Sequence, residues 1–176
     1  MNRKNVLLAA RVLALAALAR TGTAADAPKE PFDGKHAFEM MKGLAGEWNG
    51  AAEAGKPGYA VRFALASAGT VVEEIQFPGT PHEMRSLYYM DGSELVLTHY
   101  CAVGNQPHMR LDRARSSGEE LFFDFDGGTN VNPAKDTHVH SGRIHFVGAD
   151  RIDAEWAVES EGKPAGSHKF VLTRSH

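Results

Sequence analysis

The sequence predicts an all-β fold: a closed, antiparallel up-and-down barrel of about ten strands, preceded by a short helix. Three observations carry the prediction. Beyond Gly46 the helical period disappears, and short β-branched and aromatic stretches recur between Gly, Pro or Asp-Gly turns. Several stretches alternate as half-buried strands do. Leu121, Phe123 and Phe125 share one face, as do Ile152, Ala154, Trp156 and Val158, with Arg151, Asp153, Glu155 and Glu159 opposite. No helix interrupts the series, so sequential strands pair with one another, and closing the barrel removes exposed edges. A two-layer sandwich is the structural alternative.

The chain divides into residues 1–25, a linker over 26–33 and a barrel domain over 34–176. Arg3, Lys4 and Arg11 make a basic start, Val12–Ala19 is a short apolar run, and Thr23-Ala24-Ala25 offers small residues for a signal peptidase. That run is too short to cross ~30 Å of hydrocarbon as a permanent helix. The expectation is an exported protein, periplasmic or secreted, with no stable membrane insertion after cleavage; an amphipathic N-terminal helix is the alternative. The first 25 residues hold four of the 19 Lys and Arg and none of the 22 Asp and Glu. The remainder carries 15 basic against 22 acidic residues, a net −7, which disfavours nucleic acid as a partner. The single cysteine, Cys101, cannot form an intrachain disulfide.

Asp33 is placed to cap a short helix with Ala37, Phe38, Met41 and Leu44 on one side. Strands are then expected over Glu47–Ala52, Tyr59–Ser67, Thr70–Phe77, His82–Met90 and Glu94–Cys101. Five more follow over His108–Arg115, Glu120–Asp126, Thr137–Val147, Arg151–Glu159 and Ser167–Arg174. Asp91-Gly92 is the strongest hairpin signal, read as the central pair of a type I′ turn. Asp126–Asp136 is a polar loop long enough to act as a lid.

Gly46-Glu47-Trp48 lies at the entry to the first strand, just after the helix, and Arg174 ends the last. In this layout residues 34–174 resemble lipocalin-like (calycin) barrels, in which a Gly-x-Trp stands at that point. The resemblance implies that the Trp48 indole plugs the barrel floor and packs against Arg174. The stretch Thr98–Arg110, with Thr129-Asn130 and His138-Val139-His140, is similar to a group of uncharacterised bacterial calycin-like domains, often exported; it implies no particular activity. Gly46-Glu47-Trp48-Asn49-Gly50 also resembles the opening motif of nitrobindin-type haem barrels, which implies His168 as an axial haem ligand.

Several residues could carry chemistry. His138 and His140 are two apart on one strand, so by parity they share a face with Gly142, Ile144 and Phe146, the face expected to point inward. With His99 or Glu155 as a third ligand they could hold a divalent metal; the plainer reading is two hydrogen-bonded pocket or surface histidines. His99 and Cys101 share a face with Leu95 and Leu97. A thiol beside an imidazole can be a nucleophile or redox sensor, though a lone strand cysteine also serves as packing. Asn105, Gln106 and Arg110 could orient a polar ligand group or simply serve the turn and the surface. Tyr88, Tyr89 and Tyr100 are read as core or pocket lining. Glu73 and Glu74 point to opposite faces and make a poor acid/base dyad. Signatures such as G-x-S-x-G, the P-loop, the dinucleotide fingerprint and H-E-x-x-H are missing, which leans against an enzyme.

The leading expectation is therefore a barrel binding a small apolar or amphipathic molecule, with His99, Cys101, Asn105, Gln106, Arg110, His138 and His140 as its polar wall. The alternatives are a haem or nitric-oxide binder through His168, and a metal-dependent enzyme using His99, His138 and His140.

Overall fold

Ten strands form because β-branched and aromatic residues alternate with polar ones between tight turns. The computed structural model describes residues 30–51 and 58–176. The signal-peptide expectation for 1–25 and most of the linker lie outside these. The helix α1 (Gly34–Lys42) is followed by β1 (Gly46–Ala51), β2 (Tyr59–Ala66), β3 (Val71–Gln76), β4 (Met84–Asp91) and β5 (Glu94–Tyr100). Then come β6 (Gln106–Leu111), β7 (Glu120–Thr129), β8 (His138–Gly148), β9 (Arg151–Ser160) and β10 (Lys163–Arg174). Each strand pairs antiparallel with the next, and β10 returns to β1, so the sheet is a closed barrel rather than a sandwich.

The helix follows from local chemistry. Asp33 accepts a hydrogen bond from His36 N at 2.7 Å, and Ala37, Phe38 and Met41 form the buried stripe. Phe32, at the end of the expected linker, already packs against the core, and its N–H donates to Arg113 O. Gly34 permits this docking: a Cβ there would stand 2.2 Å from Ser93 O.

The helix lies against β4 and β5 and covers the closed end of the barrel. Trp48 fills the floor, donating from Nε1 to Leu44 O at 2.8 Å. Trp48 and Arg174 are direct cross-strand partners, with the guanidinium 4.4 Å from the ring centroid. Arg174 also donates to Ala45 O and Gly43 O, each at 2.9 Å, and pairs with Asp150. One cation thus satisfies carbonyls left over where the helix ends and clamps the last strand to the first. This arrangement is consistent with a calycin-like fold. Above it Phe63, Leu97, Met109, Leu121, Phe123 and Ile144 pack the interior.

Some boundaries differ from expectation for identifiable reasons. Asp91 pairs with Glu94, so the hairpin loop is Gly92-Ser93, and only Gly92 has positive φ, at 62°. The expected Asp91-Gly92 turn is thereby shifted by one residue. β4 begins at Met84 instead of His82, because Thr80 and Glu83 N–H groups close turns onto Phe77 O and Thr80 O. β6 spans Gln106–Leu111 rather than His108–Arg115: Pro107 is accommodated at a bulge, and Asp112 Oδ1 takes the N–H groups of Ala114 and Arg115, turning the chain. β7 runs on to Thr129 against Gln106, which shortens the loop expected over Asp126–Asp136. Tyr100 is an exposed outer residue, not pocket lining.

Candidate functional site

Away from the helix the barrel stays open. A cavity of about 270 Å³ occupies this mouth. Phe77, Met84, Val103, Trp156, Val158 and Phe170 give it an apolar wall, and Gln76, His99, Cys101, Thr137, His138 and His168 interrupt that wall. Gly142 is what lets Trp156 lie flat across the sheet: it is the indole's cross-strand partner, and a Cβ there would stand 2.2 Å from the ring.

Beneath the cavity runs a row of inward polar residues on three adjacent strands, Glu74, Ser86 and His99, each the cross-strand partner of the next. Tyr88 donates to Glu74 Oε2 at 2.6 Å and Gln76 Nε2 donates to Glu74 Oε1 at 2.8 Å. Burial raises the Glu74 carboxyl above its ordinary range, against the lowering effect of these two donors. Burial, reinforced by Glu74, also holds the Tyr88 phenol well above its usual value. Ser86 Oγ lies 3.0 Å from His99 Nδ1, and burial pushes His99 down to about 4, so its ring is neutral at pH 7. Ser86 and His99 are within reach of a nucleophile–base pair. Ser86, however, is 1% exposed and lies behind the cavity lining, so the contact orients the imidazole instead of presenting a hydroxyl to a substrate.

Sequence reasoning placed Tyr88 in the core or pocket lining, and it is fully buried, but it weighed Glu74 only as half of a dyad with Glu73 and passed over Gln76 and Ser86. Parity put Glu74 opposite Glu73, and indeed Glu73 faces out to Arg85. The available signal was three polar residues, Glu74, Gln76 and Ser86, on faces otherwise occupied by Val72 and Tyr88.

His138 and His140 sit where the wall parts, because the β7–β8 ladder ends at Asp124↔Ser141. A bulge between Val139 and Ser141 leaves His140 without a partner on β9, puts Val139 opposite Val158 and puts His138 opposite Glu159. Simple parity is therefore lost here. Val139 and His138 line the cavity and His140 does not. His138 Nδ1 meets Asp136 O at 2.9 Å, and its Nε2 lies 3.2 Å from His140 Nδ1. His140 Nδ1 in turn lies 3.3 Å from Glu159 Oε2. Phe125 packs on both rings, with centroids 4.7 and 5.3 Å away.

The other expected residues are dispersed. Cys101 lines the cavity with its sulfur 4.0 Å from Met84 Sδ. Asn105 is buried and donates to Thr137 O at 2.8 Å, tying the β5–β6 loop to the start of β8. Gln106 stays on the rim, donating to Gly104 O and accepting from Asn130. Arg110 faces outward, paired with Asp126 and Asp91, and lies in a separate surface groove. Glu155 also faces outward, where it accepts from Ser167. His99 lines the cavity but stands outside the group formed by His138, His140 and Glu159. His168 projects from β10 beside Trp156 at the exposed edge of the mouth.

The chain matches no protein-family model, and no curated protein is similar enough to it to count as a relative. The fold is that of a closed ten-stranded barrel with buried histidines, and the function is argued from the site itself.

Proposed function

We propose that this protein is an exported barrel that binds a small apolar or amphipathic molecule in its mouth cavity. The observation that carries this reading is the contrast within the cavity: an apolar wall built around Trp156, Val158 and Phe170, punctuated by polar groups whose orientations are set by protein partners. Apolar burial supplies affinity, and a few oriented donors and acceptors supply register. At about 270 Å³ the space suits a compact ligand, just under the roughly 300–1,000 Å³ of drug-sized sites. His99 Nδ1 is occupied by Ser86, which leaves its other nitrogen to meet a polar head group. Export rests on the basic start and short apolar run ahead of Thr23-Ala24-Ala25.

The test pairs native mass spectrometry of the purified protein with titration of an anilinonaphthalene probe, read by quenching of Trp156. One probe per barrel is expected, with affinity reduced at least tenfold in Val158→Arg, whose side chain fills the mouth. Equal binding by Val158→Arg would remove the cavity from the proposal. N-terminal sequencing of the cellular protein should find a start near Ala25 to Ala27; finding Met1 or Asn2 ends the export claim.

A further inference from the structure

We propose that His138, His140 and Glu159 form a binding site for a divalent transition-metal ion of the zinc class, at the seam where β7 and β8 separate. The site goes beyond the apolar cavity it adjoins and does not depend on what that cavity binds.

Zinc takes nitrogen and oxygen ligands at ~2.0–2.1 Å, so neighbouring ligand atoms of a tetrahedron stand ~3.3–3.4 Å apart. His138 Nε2 and His140 Nδ1 are 3.2 Å apart, and His140 Nδ1 and Glu159 Oε2 are 3.3 Å apart. All three ligand atoms lie within 4.8 Å of one another. Two edges thus match a zinc tetrahedron, and closing the third asks only for adjustment of the partly exposed His140 and Glu159 side chains.

His138 Nδ1 faces the Asp136 carbonyl at 2.9 Å and must carry a hydrogen to bond it, which leaves Nε2 with its lone pair. His140 Nδ1 then faces two acceptors, that lone pair and the Glu159 carboxylate, with at most one proton between them. His140 Nδ1, with room for one hydrogen at most, cannot serve both contacts with a hydrogen of its own. A single cation serves all three acceptors together.

The surroundings are those of a metal site. The Asp136 carbonyl fixes the His138 tautomer, as outer partners of ligating histidines do. Asp136 is itself held by a turn in which its carboxylate accepts from Asn132 N at 2.7 Å. Phe125 immobilises both rings. His138 is 1% exposed, whereas the side chains of His140 and Glu159 are 37% and 25% exposed, which gives an ion a path in. Two imidazoles and one carboxylate favour zinc-like ions over magnesium or calcium and leave a fourth position for water or a ligand donor.

The test uses untagged full-length protein stripped with a chelator and titrated with Zn²⁺, and separately with Co²⁺ as a spectroscopic substitute. One equivalent should bind, with visible Co²⁺ bands of tetrahedral intensity. His140→Ala and Glu159→Gln should each weaken Zn²⁺ at least tenfold while leaving the far-ultraviolet dichroism unchanged; these two are chosen because truncating the buried His138 endangers the fold. His82→Ala, an exposed histidine elsewhere, should bind as the unaltered protein does. Zn²⁺ affinity unchanged in the double variant His140→Ala/Glu159→Gln, or no Zn²⁺ binding by the unaltered protein, overturns the site.

Discussion

The two ends of this barrel use the same strand alternation for opposite purposes. Near the helix the inward positions are Trp48, Phe63, Leu95, Leu97, Met109 and Leu172, and the space between them is filled. Toward the mouth β3, β4 and β5 turn Glu74, Gln76, Ser86 and His99 inward, and the space opens. The closed end gains stability from shape and from one stacked guanidinium. The mouth end holds polar groups that must be satisfied pairwise, so its geometry is set by hydrogen bonds instead of packing. The difference separates what holds the barrel together from what is available to a ligand.

The comparison breaks first at Trp48. Trp48→Ala should cost about 3–5 kcal/mol in chemical denaturation, because it removes a fully buried indole and leaves a void. Arg174→Ala should cost about 1–3 kcal/mol, and Arg174→Lys should recover only part, since an ammonium cannot stack as a plane while bonding two carbonyls. Neither Arg174 variant should change probe affinity at the mouth by more than twofold; a large loss would show that the two ends are coupled.

The mouth end should instead reveal itself through pH. His99 is depressed from 6.5 to about 4 in the folded state, so the unfolded chain takes up a proton first as pH falls. Stability present above pH 6.5 is then lost progressively down to about pH 4, a full effect of about 3 kcal/mol. Glu74 has the opposite sign. Its carboxyl is raised above 4.5, so its contribution is present below that value and declines as pH climbs through the raised one. Denaturation midpoints measured across pH should lose the decline on acidification in His99→Asn and the decline with rising pH in Glu74→Gln. Identical pH profiles in both variants and the unaltered protein would mean that neither group is buried as described.

The smallest effect is expected at His168. It stands at the exposed edge of the mouth, and His168→Ala should alter probe affinity by less than about twofold, because an exposed contact contributes little. A haem-ligating role predicts the reverse: a Soret band on hemin titration of the unaltered protein, abolished in this variant.

The strands and the floor were legible in the sequence because alternation and turn residues are local signals. The Trp48–Arg174 pair was legible through the resemblance to calycin barrels, and closure of the barrel makes the two residues cross-strand partners. The His-Glu cluster was legible only in part, and the reason is register. Counting evenly from the pair Gly148↔Arg151 would put His138 opposite Glu161, but bulges at 139/141 and 146/148 move Glu159 there instead. Neither bulge has a marker as plain as Asp91-Gly92. Glu74 stayed hidden for a different reason: a carboxylate in a strand ordinarily faces water, and only Tyr88, brought up by pairing of β3 with β4, and Gln76, two residues along β3, make the inward position tolerable.

The seam between β1 and β10 also bears on how the molecule is made. Asn49 and Ser175, which hydrogen-bond across it, are 126 residues apart. Until the last strand is available, β1 has one unpaired edge and Trp48 lacks its covering guanidinium. β1 therefore cannot be paired on both edges before the last strand has been made, and until then its free edge is open to the wrong neighbour.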